Sequence, residues 1–437
     1  MRPDAQYAEA IAVLELFEMK LALGEPGSIN GIMRRHFSSR RYAGSGDRRT
    51  VGGILFDLMR KRMEILERLD AVGATPSARM MMALYCELSG VDLATVFTGE
   101  GHGMSPLATV EQEWLTAALA INSVTASAKH NMPEWLLPLF SNRLGQDQDQ
   151  LMAMNRQPDL QLRVNSLKAT QDSVLKAFRE EDIESRAGDF TPTAIIVAGR
   201  PRLGNHRLMR DGLVEIQDQS GQIACHLVAA RPSDQVVDLC AGAGGKALAM
   251  AAMMGGKGQI YAFDVSEARL KDLPMRADRA KARNIQWKIL PEEGPRRAEL
   301  LAPLEGLMDR VVIDAPCTGS GSIRRHPDLA FRLQPGEIAP YAKLQLNLLA
   351  EGAGLVKPGG RLVYMTCSLF REENEAVAEA FLAAPSSFKI IPYQDVLADH
   401  PLSELPRSHS SLEGALLLTP GTHDTDGFFV VVFERTL

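Results

Sequence analysis

Two short apolar runs in this chain each end in a cysteine, and an acid stands beside the first. Val311-Val312-Ile313 leads into Asp314-Ala-Pro-Cys317 and then a glycine-rich stretch, Thr-Gly-Ser-Gly. Fifty positions later, Arg361-Leu-Val-Tyr-Met-Thr leads into Cys367-Ser368. A thiolate is a strong nucleophile once its pKa is depressed. Carbon 5 of cytosine or uracil becomes nucleophilic only after something adds to carbon 6, and a thiolate can do that. An acid near ring nitrogen 3, the place for Asp314, would stabilise the adduct. A second cysteine would help remove the carbon-5 proton so that the adduct collapses.

Each cysteine ends a predicted parallel strand, where open α/β sheets bind ligands, so the two could face one pocket although fifty positions separate them. The sequence supplies such a frame. From about residue 216, strands are expected at 235–239, 259–263, 285–289, 310–313 and 360–365, with helices between them. Phe428-Phe-Val-Val-Val-Phe433 suits a last, antiparallel strand. After the first of these strands comes a glycine-rich turn, Cys240-Ala241-Gly242-Ala243-Gly244-Gly245-Lys246. Its glycines let backbone N–H groups approach a ligand at a helix start. The second strand ends in Asp264, where a carboxylate can hold the ribose hydroxyls of a nucleoside cofactor. A Walker loop is excluded, because the spacing and the hydroxyl residue after Lys246 are missing.

Upstream, residues 1–145 read as helical, with breaks at 24–27, 73–76 and 99–103, and the run 51–66 has helical spacing. Six arginines and two aromatics lie between 34 and 49. That composition suits phosphate forks and base stacking, and equally a plain solvated face. Residues 146–215 form a small α+β module, with strands at 159–165 and 193–197 and a helix at 170–179. At 437 residues, the chain is too long for one core. Five cysteines without a CxxC spacing argue against a disulfide framework or structural zinc and for a reducing cytoplasm. No apolar run is long enough to span a membrane, and acids interrupt the first twenty residues. The net charge of −6 is not the usual footprint of a nucleic-acid partner, so local basic clusters must carry any such contact.

The motifs together resemble the Sun (Fmu) family of S-adenosylmethionine-dependent RNA cytosine-5 methyltransferases. They are Leu162-Arg-Val-Asn-Ser-Leu-Lys168, DLCAGAGGK at 238–246, DAPCTGSGSIRRHPD at 314–328, VKPGGRLVYMTCSLFREENE at 356–375, and DTDGFF at 424–429. The resemblance implies Cys367 as the nucleophile and Cys317 as the residue that assists product release. It implies that Asp314 contacts the base or cofactor, that Cys240 to Lys246 cradle the cofactor, and that Asp264 takes its ribose. Arg269 and Glu292 complete the expected cofactor set; Glu292 stands in for the acid that members carry after the third strand. Lys168, Arg324, Arg325 and His326 are the expected RNA contacts. The helical region is similar to the NusB-like domain of small-subunit rRNA members.

The expected architecture is therefore an α/β Rossmann-like methyltransferase with a mostly parallel sheet (216–437), preceded by an RNA-positioning α+β module (146–215) and an all-helical NusB-like domain (1–145). The expected activity is cytosine-5 methylation of structured RNA, small-subunit rRNA first, with S-adenosylmethionine as cofactor and no metal. A tRNA methyltransferase and an inert RNA-binding scaffold are the alternatives; retention of both cysteines, Asp314 and Asp264 speaks against inertness. The expected state is a cytoplasmic monomer that binds neither DNA nor membrane.

Overall fold

The computed structural model describes the whole chain except residues 26, 41, 146, 200, 385–386, 399–401 and 437. The chain divides into two compact units, Met1–Arg156 with Ile323–Pro335, and Gln157–Ser322 with Gly336–Leu437.

The first unit is helical. Its core gathers Leu14 and Phe17 of the helix Pro3–Ala22, Leu55 and Leu58 of Ser45–Met59, and Met81 to Leu84 of Ala78–Leu88. Each helix turns one apolar stripe inward, as the 3.6-residue period demands. The run 51–66 is two helices, because the first ends at Met59 and the second starts at Arg62. The break at 24–27 includes Pro26, which lies outside the described residues. The unit also takes in 323–335, the stretch after the DAPC loop. Phe331 joins the helical core with the Arg62 guanidinium over its ring at 4.8 Å, and Asp328 accepts from the backbone N–H of Ile29 at 3.2 Å. Sequence reading did not anticipate this placement. The helical unit also runs on to Arg156 and includes the helix Gln148–Asn155.

The second unit contains two sheets. The smaller is antiparallel, in the order β2-β3-β1-β4, formed by β1 (Leu160–Val164), β2 (Ser185–Ala187), β3 (Ala194–Val197) and β4 (Val214–Ile216). The helix Gln171–Glu180 follows β1 and buries Val174 and Phe178.

The larger sheet has β5 (Gln235–Asp238), β6 (Gln259–Asp264), β7 (Ile285–Ile289), β8 (Met308–Asp314) and β9 (Val356–Thr366) in parallel. Three more strands join antiparallel: β10 (Phe388–Ile391), β11 (Leu416–Leu418) and β12 (Phe428–Arg435). The order is β10-β12-β9-β8-β5-β6-β7, with β11 paired to β12. The last strand is antiparallel, as expected. The five parallel strands are where the apolar runs placed them, but β10 and β11 were not foreseen.

Alternation along the central strands explains the two-sided burial. Val312 and Val363 share a cluster with Ile223, Leu227 and Leu248. Val311, Ile313 and Leu362 point the other way and meet Gly352 of the helix Ile338–Leu355, where an added Cβ would lie 2.9 Å from Ile313 Cδ1. No helix among the described residues is long and apolar enough to cross a membrane.

Candidate active site

The strand order reverses at β5, with β6 and β7 on one side and β8 and β9 on the other. A crevice therefore opens beyond the carboxyl end of β5, at a topological switch point. Into it run the turn after β5, the acid at the end of β6, and the cysteine loops after β8 and β9.

Gly244 has φ +81° and caps the helix Gly245–Met253. A Cβ at Gly244 would sit 2.2 Å from Leu273 Cδ1, so the turn can lie this close to the next helix only without a side chain. Asp264 holds the turn from the side: its Oδ2 accepts from Gly242 N at 2.9 Å and its Oδ1 from Ser266 N at 2.8 Å. Each carboxylate oxygen keeps a further lone pair, which suits a pair of ribose hydroxyls.

Lys246 donates to Asp314 Oδ2 at 2.6 Å, with its ammonium 5.1 Å from the Phe428 ring centre. Burial opposes charge on Lys246, but its contact with Asp314 outweighs burial and raises its pKa above the ordinary range. Asp314 thus enters the site as half of an ion pair.

The small sheet braces the same turn. Arg163 of β1, fully buried, donates to Gly245 O at 2.8 Å. Glu215 of β4 accepts from Arg276 at 2.9 Å and Arg279 at 2.7 Å, and Arg276 also donates to Ala243 O. Burial alone would raise the Glu215 pKa, but the two arginines hold it below the usual carboxylate range.

Cys317 and Cys367 meet, with Sγ to Sγ at 3.4 Å. The backbone fixes them from below. Gly321 N donates to Cys367 O at 2.9 Å, and Gly427 N donates to Gly321 O at 2.9 Å. An added Cβ at Gly321 would lie 2.1 Å from Gly427 O, so the DTDGFF and CTGSG segments need that glycine in order to touch. Cys86 and Cys225 are buried helix residues.

One cavity of about 660 Å³ is lined by the turn (Cys240 to Ala243, Gly245 and Lys246), by Asp264, Arg269 and Glu292, and by Asp314, Cys317 and Cys367. Gly244 is absent from the lining, since its role is packing. A volume of this order suits a nucleoside cofactor. Sequence reading missed two residues here. Arg297 also lines the cavity, pairs with both Glu351 oxygens at 2.7 and 2.6 Å, and steadies Pro291 O next to Glu292. Asp238 ends β5 fully buried, with Oδ2 lacking any partner among the described residues, and burial pushes its pKa up to about 7. An acid at a strand end just before a glycine turn was a readable signal for Asp238; nothing in the sequence marked Arg297.

The expected RNA contacts are not among the residues that line this cavity. Lys168 is exposed but donates to the carbonyls of Asp211 and Arg279, tying the small sheet to the helix Leu273–Ala280. Arg324 is a correction. It is 2% exposed inside the helical unit, its carbonyl accepting from Arg60 at 2.8 Å, so its side chain is not presented to phosphate. Arg325 is half-buried and His326 exposed, in the same segment.

A doubly wound sheet with this turn, an acid at the next strand end and a switch-point cavity defines a Rossmann-like methyltransferase. Residues 225–434 match the family described as 16S rRNA methyltransferase RsmB/F, and residues 132–202 match the RsmF/B-like ferredoxin-like domain. The probable ribosomal RNA small subunit methyltransferase B of Synechocystis sp. is 31% identical over 316 residues, 71% of this chain and 68% of that protein. Its Bacillus subtilis counterpart is 32% identical over 305 residues, 69% of this chain and 66% of that protein. Among solved structures, PH0851 covers 99% of both chains with a TM-score of 0.79 and 26% identity. A methyltransferase homologue from Pyrococcus horikoshii covers 71% of this chain and 97% of its own, with a TM-score of 0.59 and 26% identity. The chain belongs to the RsmB/F family of rRNA methyltransferases, the Sun/Fmu group, and its methyl donor is S-adenosylmethionine.

Proposed function

We propose that the protein methylates carbon 5 of a cytosine in small-subunit rRNA, through a covalent bond between Cys367 and carbon 6. The observation that carries this reading is the cysteine pair at 3.4 Å, on the wall of the cavity that also holds the glycine turn and Asp264.

The Cys367 thiolate adds to carbon 6, and the displaced electron pair makes carbon 5 electron-rich. Asp314 and Lys246 bring a fixed ion pair to the strand end, where charge builds on the ring. S-adenosylmethionine, when bound, would supply an electrophilic methyl group, its S–CH3 bond breaking to leave the neutral thioether S-adenosylhomocysteine. Carbon 5 takes that methyl and still carries its proton. Cys367 is now a thioether, so no thiolate charge faces Cys317, and Cys317 can release its own proton to water. Cys317 then takes the carbon-5 proton. The freed pair restores the carbon 5–carbon 6 double bond and expels Cys367 as thiolate.

The turn from Cys240 to Lys246 would hold the cofactor, Asp264 its ribose, and Glu292 the adenine side, with Arg269 and Asp314 beside them. We assign RNA contact to Lys168, Arg325 and His326 and to the exposed arginines of the helical unit, which we take to be NusB-like. The enzyme is expected to act as a cytoplasmic monomer. Bisulfite sequencing of total RNA from a deletion strain tests the substrate. Loss of one protected cytosine in small-subunit rRNA is the expected result; a loss confined to tRNA, or no loss, would contradict it.

A further inference from the structure

We propose that Glu373 is the positioning residue of the cysteine pair, holding the Cys317 and Cys367 loops against each other and keeping the proton they share on Cys317. The inference rests on the two-cysteine reading above and adds to it what decides which sulfur attacks.

Glu373 is fully buried. Its Oε1 accepts from Thr318 N at 2.9 Å and from Gln345 Nε2 at 3.2 Å. Its Oε2 accepts from the hydroxyls of Thr318 and Ser368, both at 2.5 Å. Thr318 follows Cys317 and Ser368 follows Cys367, so one carboxylate bonds the neighbours of both sulfurs. Gln345 also donates to Pro316 O at 2.9 Å, on the other side of Cys317. The Glu373 carbonyl accepts from Tyr364 OH.

Four donors satisfy this carboxylate, yet among the described residues it has no ion-pair partner. A buried charge without a counter-ion is costly. An apolar or amide residue would avoid that cost, so the retained charge points to a task for the charge itself. The titratable groups its charge acts on are the Cys317 thiol and the Tyr341 and Tyr364 hydroxyls. The Cys317 thiol is held well above its ordinary pKa by its hydrogen bond to Cys367, by burial, and by the charges of Cys367 and Glu373, against a weaker opposing effect of the Gly319 N–H. With the proton fixed on Cys317, Cys367 is the free nucleophile. The remaining ionisable groups nearby are Tyr364 in β9, Tyr341 in the helix Ile338–Leu355, and Asp314 with Lys246 at the end of β8.

Glu373→Gln keeps the shape and removes the charge. Its amide oxygen can accept from Thr318 N, and its NH₂ can donate to hydroxyls that reverse their roles. Iodoacetamide alkylation of Cys317 in the full chain, mapped by mass spectrometry across neutral to alkaline pH, reads the result without RNA. The midpoint of Cys317 alkylation should fall by about one pH unit, a roughly ten-fold gain in thiolate below the midpoint. Loosened loops alone would raise the rate at every pH and leave the midpoint in place. Methyl transfer should slow roughly ten-fold, in step with that shift in the proton, with KM for S-adenosylmethionine unchanged. If Glu373→Gln does not fold, Thr318→Val carries the test, since it strips one donor, leaves the charge less shielded and should move the midpoint up. An unmoved midpoint in a folded variant overturns the proposal. A shifted midpoint in a protein that methylates no cytosine would support Glu373 and sink the function proposed above, so the two failures are distinguishable.

Discussion

Asp264 does two things with one carboxylate. It fixes the backbone of the glycine turn through Gly242 and Ser266, and it leaves lone pairs that we propose take the ribose. Asp264→Ala removes both at once, and no nearby side chain can replace a buried acceptor. Hydrogen bonds to charged groups contribute about 1.5–3 kcal/mol, so affinity for S-adenosylmethionine should fall by roughly ten- to a hundred-fold. Calorimetry on the folded variant reads this, and unchanged affinity would remove Asp264 from the site. At this scale much was legible from sequence. Asp264, Cys317 and Cys367 each follow a β-branched or apolar run, and a parallel strand ends where such a run meets polar residues. Asp238 carried the same signal and was passed over, because the first residue of a glycine-turn motif is easily read as the end of its strand. Arg324 misled for the opposite reason: a basic pair in a loop looks solvent-facing until the segment's packing is known.

Among the elements, the small antiparallel sheet grips the cofactor turn through Arg163 and through Glu215 with its two arginines. Glu215→Gln should destabilise the protein by about 1–3 kcal/mol; removing one partner of a buried pair costs more, but both arginines here are partly exposed. Urea unfolding measures the deficit, and hydrogen exchange at 242–245 should rise with it. The pH dependence has a definite sign. The Glu215 pKa is depressed from an ordinary 4.5, so its contribution is full above that pH and is lost as pH falls through the folded value. The wild-type advantage should therefore shrink in acid; a gap constant with pH would contradict the clamp. None of this was readable beforehand. Alternation along a strand tells which face is buried but not which partner meets it, and Glu215 and Arg276 are 61 residues apart. The short edge strands β10 and β11 escaped for a similar reason, being three or four residues long and defined by pairing with β12.

For the whole molecule, the question is how an acidic chain holds RNA. The net charge is −6, yet Arg34, Arg35, Arg48 and Arg49 are exposed on the helical unit; Arg41 lies outside the described residues. Other members of that cluster serve the fold. His36, Arg40 and Tyr42 all engage Glu9, and Arg48 also lies over Phe37 at 5.7 Å. If the exposed arginines touch phosphates, RNA affinity falls with salt, and each contact adds about 0.7–0.9 to the logarithmic slope. Replacing Arg34, Arg35 and Arg49 with alanine should then flatten the slope by about two. A slope that stays the same would make the cluster an ordinary solvated face. The order of the helical domain, small module and parallel sheet was legible from composition and period. The passage of 323–335 into the helical unit was not, because its contacts are to residues about three hundred positions earlier.

The central claim is that the two sulfurs act in sequence, and one gel tests it. Each variant is incubated with S-adenosylmethionine and target RNA, then run under denaturing conditions. Cys317→Ala should attack and methylate but release slowly, so a denaturant-resistant protein–RNA adduct should accumulate. Cys367→Ala should form no adduct and transfer no methyl. An adduct that forms instead in Cys367→Ala would reverse the roles, and turnover surviving in both variants would contradict the account.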